Sequence, residues 1–163
     1  MSATTIGPNT TFTLRADEGR TAVPLNVVGE ETLMKVGPQD SAGRLAVFHL
    51  VAPPMSGPPR HVHSREDEWF YVLEGELEFE IDGVRSILGA GDSIWLRAGV
   101  GHAYQNFRSR DARLLIATTP GEFAGFFEEI SAATPAGGMP SIEILESLHT
   151  KYGITTLGPP MGR

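Results

Sequence analysis

The sequence predicts an all-β fold followed by C-terminal helices. Short apolar segments alternate with turn-forming residues, and the 163 residues include 19 Gly and 12 Pro. Apolar runs of about four to eight residues bounded by Gly or Pro are typical of strands. We therefore predict strands at residues 22–28, 31–35, 45–52, 68–73, 76–81, 84–88, 92–96, 103–106 and 112–118.

The segment 76–81 carries the clearest strand pattern. Its charged and apolar residues alternate, so one face of the strand should meet the core while the other meets solvent. Asp82-Gly83 follows directly and precedes the segment 84–88. Because Asp-Gly favours the positive φ angles of a two-residue hairpin turn, we predict a β-hairpin over 76–88.

The C-terminal part carries helix signals. Residues 119–122 read Thr-Pro-Gly-Glu, which predicts a capping box with Thr119 as the cap. Four apolar residues then follow with helical spacing: Phe123, Phe126, Phe127 and Ile130. This phenylalanine stripe could close the mouth of a barrel or seal its outer surface. A linker over 132–140 and a second helix over 141–152, stopped by Gly153, are expected beyond it.

Composition limits the classes of function. The length fits one domain over 1–163, with a β core at about 22–118 and a helical segment at about 119–153. Zero cysteines exclude thiolate chemistry, so a metal would need nitrogen and oxygen ligands. A net charge of -7 with scattered arginines argues against nucleic acid as a partner. The chain lacks an apolar run of about 20 residues and an apolar signal-peptide core, so we expect no membrane partner and a cytoplasmic protein.

Three histidines and a glutamate form a candidate metal site. His61 and His63 lie on alternate residues of an extended segment and therefore point to one face. Glu68 opens the apolar run Trp69-Phe70-Tyr71-Val72-Leu73, where an unpaired carboxylate would cost several kcal/mol. His102 stands where a Gly-Val-Gly turn meets a strand. An isolated His-x-His is also compatible with a polar rim on a strand, but Glu68 and His102 favour a metal.

These residues also carry a family resemblance. Residues 57–75, with His61, His63, Glu68 and Gly75, resemble the first motif of the cupin superfamily. A later set of residues resembles the second motif of the same superfamily: Gly91, Gly99, His102 and Asn106. Met55 stands at the usual leading glycine of the first motif, and Arg97 replaces the usual proline of the second. Both departures fall at positions that shape turns.

The resemblance implies a double-stranded β-helix, a small jelly-roll barrel of two facing sheets. It also implies one divalent transition metal ion inside the barrel, held by His61, His63, Glu68 and His102. Nitrogen and oxygen ligands admit iron, manganese, nickel, cobalt, copper or zinc. Within the superfamily, residues 58–75 and the Pro-Gly turn before the phenylalanine-rich helix most resemble the quercetin 2,3-dioxygenase-like group.

The same strands suggest a substrate pocket. Phe70 and Val72 share the face of Glu68, and Tyr104 shares the face of His102, so all three are predicted to line the cavity. Core packing is the alternative for the aromatic residues. Glu68 is also the candidate catalytic residue, as metal ligand, as proton acceptor, or as both in turn.

Three functional hypotheses remain open on the sequence. The first is a metal-dependent dioxygenase that acts on a small aromatic or enolisable substrate such as a flavonol. The second is an isomerase or lyase that uses the same ion as a Lewis acid. The third is a non-catalytic module that binds a metal or small ligand. We also expect a homodimer, because open jelly-roll edges offer surfaces for pairing and the superfamily is often dimeric.

Three other polar residues are assigned structural roles. His49 is predicted to be a buried or interfacial strand residue, with a position near the cavity as its alternative. His149 is predicted to stabilise the C-terminal end of the second helix. Arg65 is expected to belong to a solvated Arg65-Glu66-Asp67 turn, with assistance to an anionic substrate as its alternative role.

Overall fold

The computed structural model describes residues 7, 10–136 and 138–162. These residues form eleven strands, which are β1 (Leu25–Val27), β2 (Glu30–Val36), β3 (Ala46–Ala52), β4 (His61–His63), β5 (Asp67–Glu74), β6 (Glu76–Ile81), β7 (Val84–Gly89), β8 (Ser93–Leu96), β9 (His102–Gln105), β10 (Ala112–Thr119) and β11 (Ile154–Thr156). The helices are α1 (Pro38–Ser41), α2 (Ala124–Ala133) and α3 (Ile142–Tyr152), and a 3-10 turn, Gly121–Phe123, precedes α2.

The strands form two antiparallel sheets. One sheet has the strand order β1-β2-β3-β10-β5-β8, and the other has the order β11-β4-β9-β6-β7. Strand β10 lies between β3 and β5 and forms long ladders with both. From β3 to β10 the chain passes back and forth between the two sheets, except that β6 and β7 are neighbours in one sheet. The predicted all-β double-stranded β-helix with C-terminal helices is confirmed.

The local sequence patterns locate most strands to within a few residues. Strand β6 coincides with the predicted segment, and Asp82 (φ 47°) and Gly83 (φ 83°) form the predicted hairpin turn into β7. Strand β1 begins at Leu25, three residues later than predicted. Strand β11 was not predicted, because it exists only through its pairing with β4 near the middle of the chain.

The hydrophobic core lies between the two sheets. Burial alternates along β3, where Phe48 and Leu50 point inward and are fully buried. Phe79 comes from the opposite sheet and meets Phe70 edge to face at a centroid distance of 5.4 Å. Offset and edge-to-face aromatic pairs of this kind add to the hydrophobic stabilisation of a core.

The start of α2 differs from the predicted capping box. Thr119 ends β10 and pairs with Asp67 of β5, so the sheet ladder already holds its backbone. Pro120 occupies the position before the 3-10 turn, and no side chain caps that turn. The Gly121 amide instead donates to the carbonyl oxygen of Gly43 at 2.8 Å. The prediction that Thr119 caps the helix was therefore wrong, whereas the predicted helix that carries the phenylalanine stripe is present.

The second predicted helix is confirmed as α3. Ser141 accepts a hydrogen bond from the Ile144 amide at 3.3 Å as the N-cap, and Gly153 ends the helix with a φ of 69°. The linker that precedes it starts after Ala133, two residues later than predicted. At 11 residues α3 is the longest described helix, and none of the described helices has the length and hydropathy needed to cross a bilayer.

The loops that carry the two sequence motifs keep their turns despite the two departures. Met55 adopts a φ of 65°, the left-handed conformation that a glycine would adopt without strain. Its amide donates a hydrogen bond to the carbonyl oxygen of Asn106 at 2.7 Å. The Arg97 carbonyl accepts a hydrogen bond from the Val100 amide at 3.1 Å and closes the turn before His102. Both substituted positions are therefore accommodated by backbone hydrogen bonds.

Gly57 provides a test of how closely the first motif packs on β9. Its φ is 151°, and a Cβ atom there would overlap the backbone carbonyl oxygen of Tyr104. We expect Gly57→Ala to lower the free energy of unfolding by about 3 kcal/mol, because the loop or β9 must move. Gly83→Ala is the matched control, since Gly83 also has a positive φ but no atom within 4 Å of the added Cβ. Its expected cost is about 1–2 kcal/mol.

Chemical denaturation of the two variants and the parent protein measures both losses. Equal losses for Gly57→Ala and Gly83→Ala would show that the close approach to Tyr104 does not constrain this loop.

Candidate metal centre

Four side chains converge from both sheets. His61 and His63 come from β4, His102 from β9, and Glu68 from β5 in the other sheet. One ligand atom of each lies within 4.8 Å of those of the other three. His61 stands directly opposite His102 in the β4–β9 pairing. The structure therefore brings together all four residues that the sequence nominated as metal ligands.

The distances between the ligand atoms fit a bound metal ion. His61 Nε2 and His63 Nε2 are 3.0 Å apart, and Glu68 Oε2 lies 3.3 Å from His63 Nε2 and 3.0 Å from His102 Nε2. Two ligands bound at about 2.1 Å and at right angles to each other lie about 3.0 Å apart. The four atoms thus have the spacing of neighbouring ligands around one transition metal ion.

The outer nitrogens of two rings fix the direction of the lone pairs. His61 Nδ1 donates to the carbonyl oxygen of Pro59 at 2.8 Å, and His102 Nδ1 donates to that of Val100 at 3.1 Å. A neutral ring that donates through Nδ1 presents an unprotonated Nε2, the form that binds metals. Both rings therefore aim an acceptor at the centre of the cluster.

Buried polar atoms at this centre lack hydrogen-bond partners. His102 Nε2 and Glu68 Oε2 are only 3.0 Å apart, yet neither has a hydrogen-bond partner among the described residues. This follows from the ring's tautomer, because the His102 proton is engaged by Val100 and two electron-rich atoms then face each other. Buried groups of this kind normally have a partner. A cation would supply one.

The charge states of the cluster suit a divalent cation. Burial, with the neighbouring rings of His102 and His63, lowers the pKa of His61 to about 3, so this ring is neutral. Burial alone would raise the pKa of Glu68, but the surrounding histidines lower it to about 2. Burial lowers the pKa of His63, whereas the carboxylates of Glu68 and Glu66 raise it. Their combined effect is the larger one, so the pKa of His63 lies above its usual value. Deprotonated ligands would leave a divalent ion with about one net positive charge.

A cavity of about 180 Å³ opens onto these four residues. Phe70 and Tyr104 line it, as predicted, and both are buried. Val72 does not line it and is completely buried in the core. The prediction for Val72 was wrong because four residues of strand place it about 13 Å beyond Glu68, past the end of the cavity.

The phenylalanine stripe faces the cavity. Phe123, Phe126, Phe127 and Ile130 all line it. The Phe123 ring meets the His63 ring edge-on at a centroid distance of 4.7 Å, and Phe127 stacks on Phe48 at 4.3 Å. Of the two positions that the sequence left open, α2 therefore covers the mouth of the barrel.

Two polar residues of the cavity wall were not predicted. Glu30 is buried and accepts hydrogen bonds from the Tyr104 hydroxyl at 2.6 Å and the Ser56 hydroxyl at 2.8 Å. His149 of α3 also lines the cavity, with Nδ1 3.1 Å from the Thr156 hydroxyl oxygen. Both reach the cavity through tertiary contacts, and no local sequence signal marks either of them.

The Arg65-Glu66-Asp67 turn is less solvated than predicted. Glu66 is buried, and its Oε2 lies 3.6 Å from His63 Nδ1. Asp67 accepts a hydrogen bond from the Ala98 amide at 2.8 Å. Only Arg65 is exposed, and it donates to the carbonyl oxygen of Lys151 rather than lining the cavity. The turn is thus part of the scaffold behind His63.

Two curated proteins match part of the chain. Quercetin 2,3-dioxygenase of Bacillus subtilis (strain 168) is 38% identical over 72 residues, which are 44% of this chain and 21% of that protein. Polyketide synthase CurC of Streptomyces cyaneus is 30% identical over 60 residues, which are 37% of this chain and 39% of that protein. The chain thus spans less than half of the length of either relative.

Solved structures share the fold at low identity. A predicted oxalate decarboxylase from Thermotoga maritima aligns with a TM-score of 0.59 and 23% identity, covering 67% of this chain and 99% of that one. KdgF from Halomonas sp. aligns with a TM-score of 0.52 and 19% identity, covering 57% and 80%. A sugar phosphate isomerase of the cupin superfamily from Silicibacter pomeroyi aligns with a TM-score of 0.51 and 24% identity, covering 61% of this chain and 67% of that one.

The family assignment rests on fold and sequence together. A cupin domain model matches residues 48–118, which include all four residues of the candidate metal centre. The two-sheet barrel agrees with the folds of the solved structures above. Residues 48–118 of this chain therefore form a cupin domain.

Proposed function

We propose that this protein is a metal-dependent dioxygenase that acts on a small aromatic or enolisable substrate of the flavonol type. The observation that carries the proposal is the position of the four-residue cluster at the wall of an apolar, aromatic-lined cavity. The partial match to a quercetin 2,3-dioxygenase supports the same reaction class. The structural neighbours, at under 25% identity, support the fold alone.

The proposed cofactor is one divalent transition metal ion held by His61, His63, Glu68 and His102. Three imidazoles and one carboxylate suit iron, manganese, nickel, cobalt, copper or zinc. Such an ion would lower the pKa of a coordinated substrate hydroxyl group, and each of these metals except zinc could also supply a redox centre for reaction with dioxygen. The protein supplies the ligand geometry and the charge balance.

Glu68 is proposed to accept the substrate proton as well as to bind the ion. Its pKa is held low by the surrounding histidines, so the carboxylate is ionised at neutral pH. It lines the cavity and lies within about 3 Å of two of the ring nitrogens. A carboxylate in this position is within reach of a hydroxyl group that approaches the cluster.

The aromatic residues are proposed to bind the body of the substrate and exclude water. Phe70 and Tyr104 line the cavity from the two sheets, and Phe123 and Phe126 line it from the α2 side. The rings of Phe123 and Phe126 stack with a centroid distance of 5.2 Å. A flat aromatic molecule would gain contact area with these side chains and would keep bulk water from the reacting groups.

Oxygen uptake tests the proposed reaction. Protein loaded separately with each candidate metal should consume dioxygen when 3-hydroxyflavone or a related diketone is added, as measured with an oxygen electrode. His63→Ala should reduce the rate by at least about 100-fold, because it removes a ligand from the cluster. His49→Ala is the matched control, since His49 lies on the outward-facing positions of β3 and should leave the rate unchanged.

The outcome separates the three functional hypotheses. Absence of uptake with every metal and substrate would remove the dioxygenase proposal. Product formation under strict anaerobiosis would favour an isomerase or lyase. Tight metal retention and a raised melting temperature without any turnover would favour a binding module.

Glu66 is proposed to orient His63 from behind. Its Oε2 atom lies 3.6 Å from His63 Nδ1, and within the described part of the chain neither atom has a hydrogen-bond partner. Carboxylates that hold the outer nitrogen of a metal-bound histidine raise metal affinity about 10- to 100-fold. We therefore expect Glu66→Gln to weaken metal binding by about 10-fold, as measured by competition with a chelator.

The exposed residue Glu146 provides a control for the lost charge. Glu146→Gln should keep the parent affinity, because its side chain lies on the solvent side of α3. If Glu66→Gln also keeps that affinity, the buried carboxylate does not position His63.

A further inference from the structure

The cavity has a second polar group apart from the metal cluster. Among its described lining residues, the polar side chains other than the four candidate ligands are Glu30, Tyr104 and His149. Tyr104 lies two residues beyond His102 on the same face of β9, a displacement of about 7 Å along the strand. Its hydroxyl donates to Glu30 Oε2. The Glu30 carboxylate therefore lies in the cavity wall outside the metal cluster.

A tight hairpin holds Glu30 at this wall. Glu30 is the first residue of β2 and pairs with Val27 across a two-residue turn. Val28 has a φ of 55° and Gly29 a φ of 92°, and the Asn26 side chain accepts a hydrogen bond from the Gly29 amide at 2.8 Å. A β-branched residue with positive φ is strained, and such strain is often kept at functional sites. The turn thus places a carboxylate at a fixed point of the cavity.

The carboxylate keeps capacity for a ligand. One oxygen accepts from Tyr104 and the other from Ser56. Ser56 is itself fixed, because its carbonyl oxygen accepts a hydrogen bond from the Asn106 amide at 3.0 Å. An ionised carboxylate can accept about four hydrogen bonds, so about two remain available.

We propose that Glu30, held by Tyr104 and Ser56, is a specificity-determining residue that binds a hydroxyl group at the end of the substrate remote from the metal. The cavity then selects flat aromatic molecules that carry oxygen substituents at both ends, with an apolar body between them. The inference rests on the proposed function, because it assumes that the other end of the substrate faces the metal.

The protonation of Glu30 is compatible with this role. Burial raises its pKa to about 7, against the opposing effect of the hydrogen bonds from Tyr104 and Ser56. Near neutral pH the group can accept a hydrogen bond from a hydroxyl or donate one to it. A purely structural carboxylate with the same two hydrogen bonds would stabilise the barrel but would not discriminate between ligands.

A matched set of ligands tests the proposal by binding rather than turnover. Metal-loaded protein under nitrogen is titrated with 3-hydroxyflavone, 3,7-dihydroxyflavone and 3,4′-dihydroxyflavone, and the dissociation constants are measured by calorimetry. We expect at least one dihydroxyflavone to bind about 10-fold more tightly than 3-hydroxyflavone, as one charge-assisted hydrogen bond implies. Glu30→Leu should abolish this preference, and Glu30→Gln should reduce it to about 3-fold.

The affinity for 3-hydroxyflavone itself should change by less than about 2-fold in Glu30→Gln, because this ligand has no second hydroxyl group. Glu31→Gln, on the adjacent exposed residue, should retain both affinity and preference. Should Glu30→Leu fail to fold, Glu30→Gln together with Tyr104→Phe, which removes the hydroxyl that holds the carboxylate, provides the decisive comparison.

Equal affinities for the three ligands in the parent protein overturn the proposal. A preference of about 10-fold that persists unchanged in Glu30→Leu and Glu30→Gln also overturns it. Failure of all three ligands to bind overturns it together with the flavonol assignment. The two ideas otherwise fail separately. A Glu30-dependent preference without oxygen uptake removes only the dioxygenase, and oxygen uptake without the preference removes only the role of Glu30.

Discussion

The buried carboxylate of Glu68 is the constraint on which the rest of the site depends. It stands in the core-facing row of β5, and its Oε2 atom lies 3.3 Å from His63 Nε2 and 3.0 Å from His102 Nε2. Burial of such a charge costs several kcal/mol unless a partner compensates it. Two sheets and a two-residue histidine spacing bring three imidazoles to the same point. The double-stranded β-helix makes this convergence possible, because β5 and the strand pair β4–β9 lie in opposite layers.

The sequence predicted the parts of the molecule that depend on local pattern. Alternation located β6, the Asp-Gly pair located its turn, and the His-x-His spacing placed both rings on one face. The unpredicted parts depend on contacts between distant segments. Strand β11 exists because β4 offers it an edge, and the buried Glu30 carboxylate is held by Tyr104, which lies 74 residues later in the chain. The misplaced cap at Thr119 has the same origin, since pairing with β5 outweighs a local capping signal.

The cavity combines two kinds of recognition. At the candidate metal cluster, a bound divalent ion would favour an anionic oxygen donor. Along the walls, aromatic side chains from both sheets and from α2 favour a flat apolar body. The Glu30 carboxylate adds a further polar contact outside the cluster. An apolar cavity with few fixed polar groups is the usual form of a small-molecule site, in which the polar groups set the orientation of the ligand.

The part of the chain that matches the cupin domain model and the part outside it contribute different properties. The match over residues 48–118 contains the four candidate ligands together with Phe70 and Tyr104. Glu30, the phenylalanine stripe of α2 and His149 lie outside it, yet all line the same cavity. Strand β11 further ties the C-terminal segment to the histidine strand, with Ile154 opposite His63. The candidate metal ligands thus lie within the matched cupin domain, whereas the segments on either side of it contribute further walls of the cavity and would, under the proposed function, select the molecules that reach the ion.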